Sequence, residues 1–393
     1  MLMVHAGQAT DDLIDQLIPL LDKGDVLIDG GNAYYLDTEK RINLLKKWGI
    51  HFIGSGVSGG EEGALKGPSI MPGGSIEGYQ LIQPFFKKIA ATNNKGINCC
   101  NYIGAGGAGH FVKMVHNGIE YAEMQLLAEL VQFLKITAGF TNDLIALLLH
   151  PFLQTEKTSY LLEITIQILQ KKWKEEYLVD QILDNAGNKG TGSWTTIEAA
   201  KRGIPIPTLT AALNARFMSS MWEDRRQAAA ALLTSTQKQS VNIDSVMEAY
   251  QLCRIINHHQ GFQLIETVSK QQGWNINLSE LAQTWTAGCI IRSKLMEEIV
   301  SLIGQSNNLL MHPIIVQNFN QSVDSLKQML AAALSNELPM DCFSASAQYL
   351  FGYKQASSGA SLIQAQRDFF GAHTYQLKED PQGPFYHTNW QSA

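Results

Sequence analysis

Hydrophobic and polar residues follow two different patterns along the chain, and the change falls near residue 105. In the first hundred residues, short apolar runs at 26–28 and 51–53 alternate with segments whose apolar residues recur at helical spacing. The first helical segment is 9–21, where Thr10 is a suitable N-cap. Short apolar strands that alternate with helices predict an α/β domain with a parallel sheet.

From Gly109 onward the apolar residues recur at helical spacing in long segments, and strand-like runs are almost absent. The predicted helices are 118–134, 159–171, 208–233, 241–271 and 278–302. After Tyr353 the pattern weakens, which predicts a C-terminal tail. We therefore predict an α/β plus all-α protein: an incomplete Rossmann-like parallel-sheet domain (1–106), a large all-helical domain (107–355) and a C-terminal tail (356–393).

The sheet domain is predicted to be incomplete because its first βα turn has no glycine-rich phosphate loop. A dinucleotide-binding unit normally has G-x-G-x-x-G at that turn. In this chain the motif occupies 104–109, after the strand-like stretch 97–103, and no second strand ending in an acidic residue follows it. We interpret 104–109 as a hinge between the two domains, and the alternative is a loop that contacts a phosphate.

Composition excludes several classes of protein. With 45% hydrophobic and 17% charged residues the chain has enough apolar content for a large core, which excludes disorder. A net charge of −6 argues against a general nucleic-acid binder. Five cysteines without a C-x-x-C motif favour a reducing compartment. With no signal-peptide pattern and no run of about 18 apolar residues, the predicted location is cytoplasmic.

The helix after residue 109 places five polar side chains on one face, at spacings i, i+3, i+4, i+7 and i+8. They are Lys113, His116, Asn117, Glu120 and Tyr121. Such a face is either solvated, with a Lys–Glu pair, or it lines a cleft at the junction of two domains. An amine and a carboxyl group two turns apart could serve as general base and general acid.

Two glycine-rich turns, 29–32 and 56–63, follow predicted strands at their carboxyl ends. Ligands of open α/β sheets bind at that edge, where backbone N–H groups and the hydroxyl of Ser58 could hold an anion. Ordinary turn chemistry explains either loop equally well.

Three further segments contain isolated cationic residues. Residues 189–192 form a small cationic loop, and Arg216 lies on an apolar helix, where an arginine is usually snorkelling or paired. In the tail, 364–373 combines an arginine and a histidine with bulky aromatic residues, a composition typical of segments that dock on a partner subunit.

Taken together, six segments resemble the decarboxylating 6-phosphogluconate dehydrogenases. They are IDGGN (28–32), GSGVSGGEEGA (54–64), GPSIMPGG (67–74), GAGHFVKMVHNGIEY (107–121), NKGTGSWT (188–195) and SLIQAQRDFFGAHTY (361–375). The resemblance extends over essentially the whole chain. It implies an oxidoreductase of the pentose phosphate pathway that oxidises 6-phosphogluconate with NADP, without a metal, to ribulose 5-phosphate and carbon dioxide.

The resemblance also implies roles for individual residues. Lys113 matches the general base and Glu120 the general acid. The positions that bind the sugar acid match Asn32, Ser58, Gly59, Gly60, His116 and Asn117. The positions that bind the 6-phosphate match Tyr121, Lys189, Arg216 and Arg367. His373 matches a further residue that contacts the substrate. Matches to cofactor-binding positions are Val4, His5, Ala6 and Asn32. A homodimer is implied, in which Arg367 and His373 act in the site of the second subunit.

The sequence departs from this family at its N-terminus. The family begins with a strand, a G-x-G-x-x-G turn and a helix, which implies that this chain is N-terminally truncated and that its NADP binding is impaired. His5 and Ser193 also stand where lysine is usual.

Two alternatives follow. One is a non-catalytic, sugar-phosphate-binding helical dimer that cannot hold NADP. The other is a β-hydroxyacid dehydrogenase for an unphosphorylated acid, which the long helical domain and Arg367 disfavour because such an enzyme needs no phosphate clamp.

Overall fold

The structure is a computed structural model that describes residues 1–187, 190–306 and 308–391. The chain forms two compact units, Met1–Ala347 and Gln348–Ala393. No single helix among the described residues has the length and apolar character of a membrane span; one sharply bent helix pair meets the criterion by length and composition only. In the same ranges, no group of three or more His, Cys, Asp or Glu side chains is arranged to hold a metal ion.

The first unit begins with a small sheet in the order β1-β2-β3. Its strands are β1 (Val26–Asp29), β2 (His51–Ser58) and β3 (Ser69–Gly74). Strands β1 and β2 are parallel, as predicted, but β3 is antiparallel to β2, so the prediction of a wholly parallel sheet is wrong there. The physical reason is the short connection between β2 and β3, because a parallel return needs a crossover of a dozen or more residues.

Isolated bridges extend the sheet at both edges. Leu2 pairs in parallel with Asp29 beside β1, and Cys100 and Gly104 pair in parallel with β3. The predicted strand-like stretch at 97–103 is therefore extended chain with isolated bridges rather than a full strand, and the chain at Leu2 is the same.

Helices cover both faces of the sheet. They are α1 (Gln8–Leu17), α2 (Tyr35–Lys46), α3 (Gly60–Lys66) and α4 (Ile76–Ile89). Because side chains alternate along a strand, Leu27 and Phe52 pack against α1 and α2, whereas Ile28 and Ile53 pack with residues of α4. The N-cap prediction at Thr10 is wrong: Gly7 precedes α1, and the buried Thr10 hydroxyl donates to the carbonyl of His5 at 2.9 Å.

In the described part of the remaining first unit, helices predominate and the only strands form one short hairpin, β4 (Lys172–Trp173) and β5 (Glu176–Tyr177). The helices are α5 (Ala108–Phe133), α6 (Asn142–Leu149), α7 (Tyr160–Gln170), α8 (Leu178–Gln181), α9 (Thr191–Lys201), α10 (Pro207–Ser220), α11 (Trp222–Ala231), α12 (Ile243–Gln272), α13 (Leu278–Thr284), α14 (Lys294–Ile303) and α15 (Pro313–Ser335). Helix α16 (Asp341–Tyr353) begins in the first unit and ends in the second. Helix α5 is buried along most of its length and packs on both α12 and the sheet.

Two predicted helices are each broken in the structure. The segment 208–233 divides at Met221 into α10 and α11. The segment 278–302 is interrupted by an irregular stretch whose Gly288 lies against the sheet loop at Gly59, and Ser293 then caps α14 through its side chain. The predicted helix therefore ends where residues after α13 pack against the sheet domain, a long-range contact that hydrophobic periodicity cannot show.

The second unit contains one helix that the sequence pattern did not predict, α17 (Ala360–Gly371). After α17 the chain turns back, and Tyr375 and Tyr386 form an antiparallel bridge with backbone hydrogen bonds of 2.9 and 2.8 Å. The domain boundaries at 106 and 355 stay predictions.

Candidate active site

The close approach of α5 to the sheet depends on a glycine in β2. A Cβ built on Gly56 would lie 2.4 Å from the Cβ of Lys113 and 3.0 Å from the carbonyl oxygen of Gly109. Any larger residue at position 56 would push the helix away from the strand. Gly56 therefore fixes the position of Lys113 next to the end of β2, where Ser58 lies.

The polar face of α5 is buried. Lys113 is 6% exposed, His116 is fully buried, Asn117 and Tyr121 are nearly so, and the Glu120 side chain is 20% exposed. The interpretation of this face as a solvated surface with a Lys–Glu pair is therefore wrong. Five polar side chains withdrawn from water on one helix are a feature of sites rather than of surfaces.

His116 lies between the amine and the carboxyl group on this face. Its Nδ1 atom is 3.4 Å from Lys113 Nζ, 3.4 Å from Asn117 Oδ1 and 3.6 Å from Glu120 Oε2. Its Nε2 atom is 3.2 Å from Ser58 Oγ at the end of β2. The structure thus brings Lys113, Glu120 and Ser58 together around one imidazole. The helical spacing predicted that Lys113 and Glu120 share one face, whereas Ser58 was linked to them only by the family resemblance.

Burial shifts the pKa values of all three titratable groups. Desolvation lowers the pKa of Lys113, although the nearby Glu120 and Cys289 raise it. It also lowers the pKa of His116 far below the ordinary value, and the charge of Lys113 adds to that effect. The pKa of Glu120 is raised by desolvation, which outweighs the opposing charges of Lys113 and Arg216. Both shifts are in the direction of the neutral amine and the protonated carboxyl group, the forms that a general base and a general acid require.

The loop after β2 has a backbone that requires glycine. Gly59 has a φ of +131°, and a Cβ there would lie 2.5 Å from the carbonyl oxygen of Gly288. Gly60 begins α3 directly after it. The loop thus passes close to the backbone of Gly288, and Ser58, the residue before it, contacts His116 on the polar face of α5.

A second group forms one turn further along α5, around Tyr121. The guanidinium of Arg216 lies over the Tyr121 ring at 3.5 Å and donates to the carbonyl oxygen of Gly187 at 2.9 Å. Gly192, in the first turn of α9, also packs on this ring, since a Cβ there would lie 2.8 Å from it. Among the described residues, the partners of Arg216 are thus an aromatic ring and a backbone carbonyl rather than a carboxylate at salt-bridge distance, and Lys189 lies outside these residues.

The predicted cofactor positions lie at the carboxyl edge of the sheet. Val4, His5, Ala6 and Asn32 are all exposed there. The loops that contain them are adjacent, since a Cβ on Gly31 would lie 3.0 Å from the carbonyl oxygen of Val4.

A buried arginine that sequence reasoning missed connects the two loops. Arg41 donates to Asp11 Oδ1 at 2.7 Å, to the carbonyl oxygen of Gly7 at 3.1 Å and to Asp29 Oδ2 at 3.3 Å. Asp29 in turn accepts a hydrogen bond from the N–H of Gly31 at 3.0 Å. No regular sequence spacing relates Arg41 to Asp11 and Asp29. The one signal in the sequence was an acidic residue, Asp29, at the end of a predicted strand.

The G-x-G-x-x-G segment 104–109 holds one of the protein's own carboxylates. Glu39 accepts a hydrogen bond from the backbone of Gly107, immediately before α5, and its Oε1 would lie 3.4 Å from a Cβ on Gly106. The carbonyl of Gly104 is bound to the sheet by the N–H of Gly74 at 3.0 Å. The segment is therefore a packed junction between sheet and helix rather than an open phosphate loop.

Arg367 and His373 belong to the second unit. Arg367 lies on α17 and donates to Gln364 Oε1 at 2.9 Å, and the ring of His373 packs on that of Phe370 with centroids 5.9 Å apart. Both side chains are exposed within this unit.

Family models match both parts of the chain. The model for the NAD binding domain of 6-phosphogluconate dehydrogenase matches residues 1–104, and that for the C-terminal domain of 6-phosphogluconate dehydrogenase matches residues 109–390. The chain belongs to the 6-phosphogluconate dehydrogenase family.

Individual relatives agree. The decarboxylating 6-phosphogluconate dehydrogenases of Klebsiella pneumoniae and of Escherichia coli strain K12 are each 45% identical over 399 residues, which is 99% of this chain and 85% of either relative. The structure of Plasmodium falciparum 6-phosphogluconate dehydrogenase, described in its apo form and in complexes with its cofactor NADP+ and its substrate 6-phosphogluconate, superposes with a TM-score of 0.94 at 37% identity. That alignment covers 99% of this chain and 85% of the other.

These matches correct one expectation. Because the NAD binding domain model matches from residue 1 to residue 104, the expectation of a truncated cofactor domain with impaired NADP binding is not supported. The Rossmann-like domain followed by a large helical domain is confirmed.

Proposed function

We propose that this chain oxidises 6-phosphogluconate with NADP and decarboxylates it to ribulose 5-phosphate and carbon dioxide. The observation that supports this most is the buried face of α5, where Lys113 Nζ lies 3.4 Å and a Glu120 oxygen 3.6 Å from His116 Nδ1. A reaction that removes a proton from its substrate and later returns a proton to it needs a general base and a general acid in one site.

Lys113 acts first, as the general base. Burial keeps its amine neutral more easily than in water, so it can accept the proton of the C3 hydroxyl. NADP, when bound, supplies the acceptor for the hydride that leaves C3. The 3-keto acid then loses its carboxylate, because the ketone accepts the electron pair of the broken bond, and the ammonium of Lys113 stabilises the enolate oxygen.

Glu120 acts second, as the general acid. Its raised pKa keeps it protonated to higher pH than an ordinary carboxyl group, so it can donate a proton to C1 of the enediol. His116 and Asn117 hold the hydroxyls of the substrate, and Ser58, Gly59 and Gly60 hold its carboxylate.

The 6-phosphate is held at the other end of the same face. Tyr121 and Arg216 already contact one another there, and Lys189 and Arg367 complete the clamp. Several cationic donors at fixed positions suit a phosphate dianion better than any unphosphorylated acid.

Val4, His5, Ala6 and Asn32 fit the cofactor. Their loops form an exposed edge of backbone and amide groups that Arg41 holds together, and Asn32 is shared with the substrate site. Ligands of open α/β sheets bind at this edge.

The active form is a homodimer in which Arg367 and His373 complete the site of the partner. Mixing equal amounts of Lys113→Met and Arg367→Gln chains tests this, since random reassortment of dimers restores one intact site in each mixed dimer, or roughly a quarter of the wild-type activity. No recovery after reassortment, or a monomer by light scattering, would contradict the shared site.

The decisive experiment for the activity is a balance of products. Purified chain supplied with 6-phosphogluconate and NADP should form NADPH and carbon dioxide in equal amounts. Separate titrations with NADP and with 6-phosphogluconate show which ligands bind. Binding of the sugar acid without NADP binding would support the non-catalytic dimer, which the match of the NAD binding domain model to residues 1–104 does not favour.

A further inference from the structure

The carboxylate of Asp368, next to Arg367 on α17, is the centre of the second unit. It is fully buried, although most side chains around it are exposed. Oδ1 accepts from the N–H of Thr374 at 2.9 Å and lies 3.0 Å from His387 Nδ1. Oδ2 accepts from the N–H of Thr388 at 3.1 Å and from Trp390 Nε1 at 2.8 Å. One side chain thus binds both the turn after α17 and the last described segment of the chain.

The turn that Asp368 binds has an unusual backbone. Ala372 and Thr374 have φ values of +50° and +58°, in the left-handed region that β-branched residues such as threonine rarely adopt. His373 lies between them. Non-glycine residues persist in this region only where the surrounding structure holds them, and such places are often functional.

A second side chain connects this turn to Arg367. Gln364 accepts from Arg367 Nη1 at 2.9 Å through Oε1 and donates to the carbonyl oxygen of Thr374 at 2.5 Å through Nε2. Thr374 is therefore held at its N–H by Asp368 and at its carbonyl by Gln364. The guanidinium of Arg367 and the backbone of His373 share one support.

Burial alone would raise the pKa of Asp368, but the hydrogen bonds from His387, Thr388, Trp390 and Thr374 lower it more, so it lies below the ordinary range. The four donors therefore bind the ionised carboxylate, which is the stronger acceptor.

We propose that Asp368 is a positioning residue for the substrate site: its carboxylate, with Gln364, holds the strained turn after α17 and so fixes His373 relative to Arg367, which both face the sugar phosphate. This rests on the proposed function, because it takes Arg367 and His373 as ligands of the substrate. It extends that function to two residues that need not touch substrate, and it makes the segment 387–390 a part of the site's support.

The test is Asp368→Asn, which keeps the shape of the side chain but replaces one acceptor by an N–H₂ group that faces donors. We expect the KM for 6-phosphogluconate to rise about tenfold or more, as for loss of one charged hydrogen bond, with the KM for NADP within about twofold. Trp390→Phe removes one donor and should raise the same KM by less. Glu379→Gln, on an exposed residue of the same unit, is the matched control and should change neither KM.

Hydrogen exchange of the full-length, ligand-free chain separates this proposal from the proposed function. Asp368→Asn should exchange the amides of 372–375 faster, whether or not the wild-type chain reduces NADP. Unchanged exchange would overturn the positioning role. Faster exchange with an unchanged KM for 6-phosphogluconate, or an equal rise in both KM values, would reject its link to the substrate. Absence of NADPH formation by the wild-type chain would instead reject the proposed function.

Discussion

The polar face of α5 and the carboxyl edge of the sheet differ in where their functional groups lie. On α5 the side chains of Lys113 and His116 are buried and interact with one another. At the sheet edge, Val4 and Asn32 are exposed, and the buried groups, Arg41 and Asp29, lie beneath them.

In the proposed function, this difference corresponds to a division of roles between the two regions. Groups that exchange protons need shifted pKa values, and burial provides the shift at Lys113 and Glu120. Groups that only hold a ligand need a backbone in a fixed position. Arg41 fixes the loops at the sheet edge through three hydrogen bonds that it donates. Substitutions on the two sides should therefore affect different kinetic constants.

The largest effect should come from Lys113→Met. The variant keeps the apolar length of the side chain but loses the base, so kcat should fall by about 10⁴-fold, at the upper end for general base catalysis. Lys95→Met, on an exposed lysine, should leave kcat unchanged. Steady-state kinetics measures kcat, and calorimetry measures the binding of 6-phosphogluconate. A Lys113→Met enzyme with near-normal kcat would refute the role of the amine.

Glu120→Gln should have the next largest effect. The amide cannot give up a proton, so we expect about a 10³-fold loss in kcat, less than for Lys113 because water can protonate the enediol slowly. Glu175→Gln is the exposed control. Analysis of the product formed in deuterated water provides a check. The variant should lose the stereospecific deuteration of C1, and retained stereospecificity would assign the role of the acid to another group.

Gly56→Ala tests the contact that connects the sheet to α5. The added Cβ would lie 2.4 Å from that of Lys113, so the helix must move. We expect roughly 10²-fold lower kcat from the misplaced amine and an unfolding free energy lower by about 1–3 kcal/mol from overpacking. Gly352→Ala, where nothing lies within 4 Å, is the control. Chemical denaturation and kinetics together measure both effects; unchanged kcat would mean that the close approach is not needed.

Arg41→Lys should have the smallest effect and should separate the two regions. Lysine keeps the charge but cannot reach Asp11, Asp29 and Gly7 together, so the KM for NADP should rise about tenfold, equivalent to one charged hydrogen bond, with kcat nearly unchanged. Lys40→Gln, at the exposed neighbour, is the control. A fall in kcat without a change in the KM for NADP would contradict the proposed division of roles between the α5 face and the sheet edge.

The sequence predicted the α5 face well because the spacing of Lys113, His116 and Glu120 is local and one helix sets it. The order of a sheet domain followed by helices was predictable for the same reason. The antiparallel β3, the break before α14 and the Arg41 network were not, because each depends on contacts between segments far apart in sequence. The glycine motif at 104–109 was correctly set aside, but its actual role, a junction next to Glu39, needed the structure.

The most direct test of the central claim is the pH dependence of kcat/KM for 6-phosphogluconate in wild type and in Glu120→Gln. Activity requires neutral Lys113, so it should rise with pH through the pKa of the amine and, in wild type, fall as Glu120 deprotonates. Because Glu120 is protonated and uncharged on the acid limb, its removal should leave that limb in place and abolish only the alkaline fall. An alkaline fall that persists at the same pH in Glu120→Gln would contradict Glu120 as the acid that works with the amine of Lys113.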